Sequence, residues 1–224
     1  MLRVAIDGPG GTGKSTIAKA VAKLFSIEYI DTGAMYRSIA LKALRNKISP
    51  ADEESVRNML NDTVIDFADN VMYLDGEDVG GLIRTNEISM AASDISKLAC
   101  VRAKADELSK SLAATKSVIM EGRDIGTVVI PDAEVKIFMT ASAEIRARRR
   151  YEQLLNAGKE ADYDKIFDEI QKRDYQDSHR SLNPLKQAED AVFLDSSDMS
   201  IDENIDAVAK IITDKTGVLP TSEV

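Results

Sequence analysis

Gly8-Pro9-Gly10-Gly11-Thr12-Gly13-Lys14-Ser15 satisfies G-x-x-x-x-G-K-[ST] at every fixed position, with Thr16 next in line. Glycines at this spacing let a loop turn tightly around an anion. Successive backbone N–H groups and the start of the following helix then point at the β- and γ-phosphates of a nucleotide. Lys14 would neutralise those phosphates and Ser15 would hold Mg²⁺. The apolar run Val4, Ala5, Ile6 before the loop and the helix-forming segment after it supply the setting the motif needs. A glycine turn that only caps a structural helix would not require that agreement. Gly8 to Thr16 are therefore expected to bind a nucleoside triphosphate.

A second set of residues suited to phosphate chemistry is the arginines. Arg146, Arg148, Arg149 and Arg150, then Arg173 and Arg180, cluster in short segments of a chain whose net charge is −9. Extended nucleic-acid binding needs a broad basic surface, so this balance argues against it and for a small, highly charged ligand. Neighbours on a helix point about 100° apart, so one or two of the adjoining arginines can face ATP while the rest meet solvent or acidic partners. Arg148 and Arg149 are taken as the contacts. Arg173, Asp174, Asp177 and Arg180 have the spacing of a surface salt-bridge ladder as well as of a ligand grip. His179 reads as a solvated surface histidine.

The elements that must position these groups follow from periodicity. Ile17, Val21, Leu24 and Phe25 recur at helical spacing, Glu28 to Ile30 reads as a short buried strand, and a helix is expected from about Ala34 through Leu44. This β-loop-α-β-α order begins a parallel sheet with right-handed crossovers. Val64 to Phe67 and Val71 to Leu74, with a tight turn at Asp75-Gly76, read as an inserted antiparallel element. One helical region is expected from about Glu87 to Ala114. Ser117 to Met120 and Val135 to Met139 read as central strands. Helices from Ser142 to about Asn156 and from about Asp164 to Asp177 form a polar hairpin, and Ala191 to Leu194 supplies a last strand. Ser200 with Glu203 forms a capping box before Ile201, Ile205, Val208 and Ile212, and Thr221 to Val224 is expected to fray.

The loop alone leaves kinase, GTPase, motor and other ATPase readings open. No N-K-x-D guanine-reading motif is present, and the two polar interruptions of the sheet suit moving covers that keep water from the γ-phosphate. Asp31-Thr32-Gly33-Ala34-Met35-Tyr36-Arg37, Gly76 to Val79, Ile83 to Glu87, Glu121-Gly122-Arg123-Asp124-Ile125-Gly126-Thr127-Val128-Val129 and Arg173-Asp174-x-x-Asp177-x-x-Arg180 occur in that order. From about Val4 to Ile212 the chain thus resembles the bacterial cytidylate kinases. Glu121 stands where many relatives have Asp, and Gln176 and Ser178 stand where some carry further arginines.

The resemblance implies a P-loop kinase fold: a central parallel β-sheet flanked by helices, with an inserted monophosphate-binding element and a helical lid. It implies one domain over residues 1–224, with a core of about 1–60, 115–141 and 185–218, an insertion of about 61–114 and a lid of about 142–184. It implies ATP as donor, CMP or dCMP as acceptor, and Mg²⁺. Asp124 would accept from the cytosine amino group, with Ser93 and Arg102 addressing the ring acceptors. Read without the resemblance, Ser93 and Arg102 would sit on solvated helix faces. Arg37 and Arg123 would grip the acceptor phosphate, Thr32 would touch the nucleotide, Arg173 and Asp177 would lie near the sugar, and Arg180 would reach the phosphates. Lys14, Arg123, Arg173 and Arg180 would carry the chemistry, and Glu121 would act near the metal through water. A kinase for another small acceptor, a nucleotide-dependent switch protein and an RNA-associated factor remain as alternatives.

With 224 residues, 44% of them hydrophobic, the chain is ample for a buried core. Cys100 is the only cysteine, which excludes an internal disulfide and suits buried filler in a reducing cytoplasm. Neither a charged-then-apolar leader nor an apolar run of about 18 residues is found, so no membrane association is expected. A monomer is expected.

Overall fold

The computed structural model describes residues 1–68 and 71–221. In chain order the elements are β1 (Arg3–Asp7), α1 (Lys14–Leu24), β2 (Glu28–Asp31), α2 (Thr32–Arg45), α3 (Glu53–Asn61), β3 (Ile65–Ala68), β4 (Val71–Leu74), β5 (Glu77–Asp78), α4 (Asn86–Ile95), α5 (Ala99–Thr115), β6 (Val118–Gly122), β7 (Val135–Thr140), α6 (Ala143–Asn156), α7 (Tyr163–His179), β8 (Val192–Asp195) and α8 (Ile201–Thr216). They fall into two compact units, Met1–Tyr29 with Ser117–Val224, and Ile30–Lys116.

The first unit is built on a five-stranded sheet of order β2-β6-β1-β7-β8. β1 pairs in parallel with β6 on one side and β7 on the other, and β8 runs parallel to β7. Alternate residues of a strand share a face, which places Val4 and Ile6 of β1, Ile119 of β6, and Val135, Ile137 and Met139 of β7 on one side. There they pack against Ile17, Ala18 and Val21 of α1 and Val208 and Ile212 of α8. Ala5 and Met120, on the opposite face, are buried too, which is why these central strands read as unbroken apolar runs. The expected capping box opens α8: the Ser200 hydroxyl accepts from the Glu203 N–H while Glu203 accepts from the Ser200 N–H.

In the second unit α2 packs on α4 and α5, α3 on α5, and β4 against α2. β3, β4 and β5 form an antiparallel sheet. Asp75 and Gly76 both have positive φ, 51° and 85°. That is the geometry of a two-residue hairpin turn, and it demands a return strand. β5 is that strand, and the sequence reading missed it.

Three other differences have local causes. The single helical region expected over 87–114 is two helices. At the break the Ser96 hydroxyl donates to the Ser93 carbonyl at 2.9 Å, and the Lys97 and Leu98 N–H groups turn to carbonyls three residues back, tightening the turn until Leu98 is extended. α3 had no counterpart in the reading, although Asp52 caps it by accepting the Ser55 N–H. Cys100 is half-buried instead of filling a core. Of the tail expected to fray, Thr221 is fastened by its N–H and hydroxyl to the Leu24 carbonyl, and 222–224 lie outside the described residues.

Candidate active site

The loop between β1 and α1 is shaped by contacts that leave no room for side chains. A Cβ at Gly8, where φ is 151°, would lie 1.9 Å from the Met139 carbonyl oxygen. Only glycine lets the backbone pass β7 at that point. Gly13, with φ 97°, caps α1 without a side chain, so the helix begins on bare N–H groups at Lys14 and Ser15. Lys14 Nζ is buried and donates to the Pro9 carbonyl at 2.6 Å and to the Thr12 hydroxyl at 3.3 Å. Burial first, then the positive charges of Arg123 and Arg173, push its pKa down to about 7 against the opposing pull of Glu121 and Asp7.

Two arginines distant in sequence converge on the loop. A Cβ at Gly10 would lie 3.3 Å from an Arg123 nitrogen and 3.5 Å from an Arg173 nitrogen. Both are held by Asp177 on α7, which accepts from Arg123 Nε at 2.8 Å and lies 3.9 Å from Arg173 Nε. Burial would raise the Asp177 carboxyl, but Arg123, Arg173 and Arg180 outweigh it and hold it below the ordinary carboxylate range. Arg180, just past the end of α7, reaches within 3.5 Å of Asp124, and both side chains are buried.

The carboxylates at the ends of β1 and β6 are also committed. Glu121 is buried opposite Ile6 and accepts a hydrogen bond from the Tyr29 hydroxyl. Asp7 accepts the Ile125 and Gly126 N–H groups, each at 2.8 Å. Desolvation raises its pKa to about 6 despite those two bonds.

α6 meets the loop through Arg146 and Arg149, three residues apart and so on one face of the helix. Arg146 donates to the Gly10 carbonyl at 3.1 Å and makes a two-pronged pair with Asp174 of α7 at 3.0 and 2.6 Å. Arg149 donates to the Thr12 carbonyl at 3.3 Å and the Ser196 carbonyl at 2.7 Å. Arg148, expected at the nucleotide, is exposed and lies about 200° around the helix from Arg146. Arg146, not Arg148, is the partner of Arg149 at the loop. His179 is exposed and stacks on Tyr175 with ring centroids 4.0 Å apart, as a solvated histidine can.

The remaining predicted residues belong to the second unit. Asp31 caps α2 through the Ala34 N–H and holds Arg37 at 2.7 Å; Thr32, the first residue of α2, is buried. Arg102 is buried over the Tyr36 ring, 5.6 Å from its centroid, and donates to the Ser96 carbonyl at 3.3 Å. Ser93 is buried on α4. Arg102 and Ser93 thus do not sit on solvated helix faces.

Among the described residues no three His, Cys, Asp or Glu side chains converge as a metal cage. An ion here would take most of its shell from phosphate and water oxygens, which is how magnesium usually binds. Ser15, second residue of α1, and Glu121 offer oxygen donors of the right hardness, so the site fits a nucleotide-borne Mg²⁺. Asp7, Arg146 and Asp174 were not among the side chains expected to hold the loop or the segments beside it; the i, i+3 phase of Arg146 and Arg149 was the one usable signal.

The parallel sheet, the glycine loop at the end of β1 and the paired helices bearing cations define a P-loop kinase fold. The same fold is seen in a crystal structure of shikimate kinase from Bacteroides thetaiotaomicron, with TM-score 0.50, 13% identity, and coverage of 94% of this chain and 98% of that one. By sequence the relation is much closer to another group: the chain belongs to the cytidylate kinase family, whose model matches residues 4–214. A cytidylate kinase from Caldicellulosiruptor bescii is 48% identical, covering 94% of this chain and 95% of its own. One from Carboxydothermus hydrogenoformans is 44% identical, covering 97% of this chain and 100% of its own.

Proposed function

We propose that this protein transfers the γ-phosphoryl group of ATP to CMP or dCMP, giving ADP and CDP or dCDP. The observation that carries the reading is the convergence of Arg123 and Arg173 on Gly10, with Asp124 paired to Arg180 one residue beyond Arg123. Cations suited to an acceptor phosphate beside Gly10, and a buried carboxylate suited to a cytosine amino group next to Arg123 in the chain, support the reading. The family supports the choice of base.

The chemistry asks for little beyond placement. A phosphate oxygen of CMP forms a bond to the γ-phosphorus as the bond from that phosphorus to the β–γ bridging oxygen breaks, and ADP leaves with the electron pair. The attacking oxygen is already deprotonated, so no general base is needed. Lys14 and the N–H groups at the start of α1 hold the donor phosphates, while Arg123, Arg173 and Arg180 stabilise charge on the transferring group. Mg²⁺ bound with ATP would neutralise its phosphates, held by Ser15 and, through water, by Glu121. Residues 142–184 serve as the lid, with the Arg146–Asp174 pair joining its two helices and Arg149 reaching the loop. Asp124 reads the amino group, and Ser93 and Arg102 the ring acceptors. Thr32 and Arg37 address the nucleotide and its phosphate. Leaving that base edge unpaired costs about 1–3 kcal/mol, which disfavours uracil.

An ADP-release assay with ATP, Mg²⁺ and each of CMP, dCMP, UMP, AMP and GMP tests this. Release stimulated by CMP and dCMP well above the others is expected. If CMP and ATP yield no CDP, the proposal is wrong.

A further inference from the structure

We infer that Asp7 is a positioning residue for base selection: through the backbone of Ile125 and Gly126 it sets the direction of Asp124, and with it the preference for cytosine. This rests on the reading of Asp124 given above.

Asp7 ends β1 directly before Gly8, is buried, and lies in register with Gly122 of β6. Its two carboxylate oxygens take the N–H groups of Ile125 and Gly126 at 2.8 Å each. Those are the opening donors of a wide helical turn, Ile125–Val129. Of the two, the Gly126 N–H is the one that the residue at the head of the turn, Asp124, would ordinarily satisfy, and aspartate is among the best residues for that duty. Yet the Asp124 side chain caps nothing in its own turn and lies 3.5 Å from Arg180. Asp7 does the capping from the neighbouring strand, and the Asp124 carboxylate turns toward Arg180 instead of toward its own turn. The turn has little space to slip: a Cβ at Gly126 would lie 3.4 Å from an Asp7 oxygen and 3.1 Å from Lys136 Cδ.

Without the Asp7 carboxylate, Asp124 gains a competing option, which is to fold back and cap its own turn. The cytosine amino group would then lose its acceptor, whereas uracil, which presents a carbonyl there, would lose nothing.

The test is the ratio of kcat/KM for CMP to that for UMP, measured on wild type, Asp7→Asn, Asp124→Ala and the double variant. Because both acceptors are compared on one protein, losses of stability and changes around Lys14 cancel in the ratio. Asp7→Asn is expected to lower it by at least about tenfold, 1.4 kcal/mol, and to add less than about twofold in the Asp124→Ala background. An unchanged ratio in Asp7→Asn, or a fall fully additive with Asp124→Ala, overturns the inference. If wild type shows no CMP preference, or Asp124→Ala keeps it, the reading of Asp124 fails and the inference with it. A selective wild type, an unselective Asp124→Ala and a selective Asp7→Asn would sink the role of Asp7 alone. Should Asp7→Asn not fold, Asp7→Glu, which keeps the charge but carries it one methylene further, must show the same fall. A chain that folds with neither substitution assigns Asp7 a purely structural role and also overturns the inference.

Discussion

Replacing Asp177 by asparagine tests how the cations around the loop are held before substrate arrives. The Asp177 side chain is only 6% exposed, with Arg123 Nε at 2.8 Å and Arg173 Nε at 3.9 Å. Removing one partner of a buried pair typically costs about 3–5 kcal/mol, because the other charge stays desolvated. Asparagine keeps an oxygen that can still accept from Arg123, which points to the lower end, about 3 kcal/mol. The Arg173 contact is longer and its side chain is a third exposed, so it adds less than about 1 kcal/mol. With a urea slope near 3 kcal/mol per molar for a chain of this size, the unfolding midpoint should fall by about 1 M. The measurement is urea unfolding followed by far-UV circular dichroism without nucleotides. The pH dependence has a definite sign. A carboxyl with a depressed folded pKa contributes stability above its unfolded value of 3.8, and loses it as pH falls through the lower folded value. The gap between wild type and variant should therefore persist from about pH 8 down to about pH 4 and close only below that. A midpoint shift under about 0.3 M would show that solvent screens the cluster and that Asp177 does not hold it together.

Two further outcomes follow from the same site. Lys14, whose pKa is lowered in the free protein by burial and by the nearby arginines, should regain its charge against anionic phosphates, so ATP binding should take up a fraction of a proton near neutral pH and more at higher pH. Calorimetry in buffers of different ionisation enthalpy reads that number, Lys14→Met should abolish it, and a binding heat independent of buffer at the higher pH contradicts it. Arg149→Ala should raise KM for ATP about tenfold while Arg148→Ala stays within about twofold, and equal effects would refute the assignment of loop contact to Arg149.

What the sequence could disclose was whatever depends on residue type at short spacing. The phosphate loop, the Asp-Gly turn and the Ser200–Glu203 box each lie within eight residues and declare their geometry by composition. The convergence of Arg123 and Arg173 is different. Fifty positions separate them, no period links them, and only resemblance to a family brought Arg123 forward.

Arg146 shows a second kind of failure. Arg146 belongs to an arginine cluster in which only Arg148 and Arg149 were expected to reach the nucleotide, yet it is 4% exposed. Its guanidinium is satisfied by Asp174 and by the carbonyls of Gly10 and Ala141. Two of its partners are main-chain atoms, which every residue possesses and which therefore leave no mark on composition or pattern. The same holds for Arg149 with the Thr12 carbonyl and for Asp7 with the N–H groups of Ile125 and Gly126. In each case a charged side chain fixes backbone at or beside the loop. The glycines that make that backbone deformable are legible in the chain, and the side chains that restrain it are legible only once it has folded.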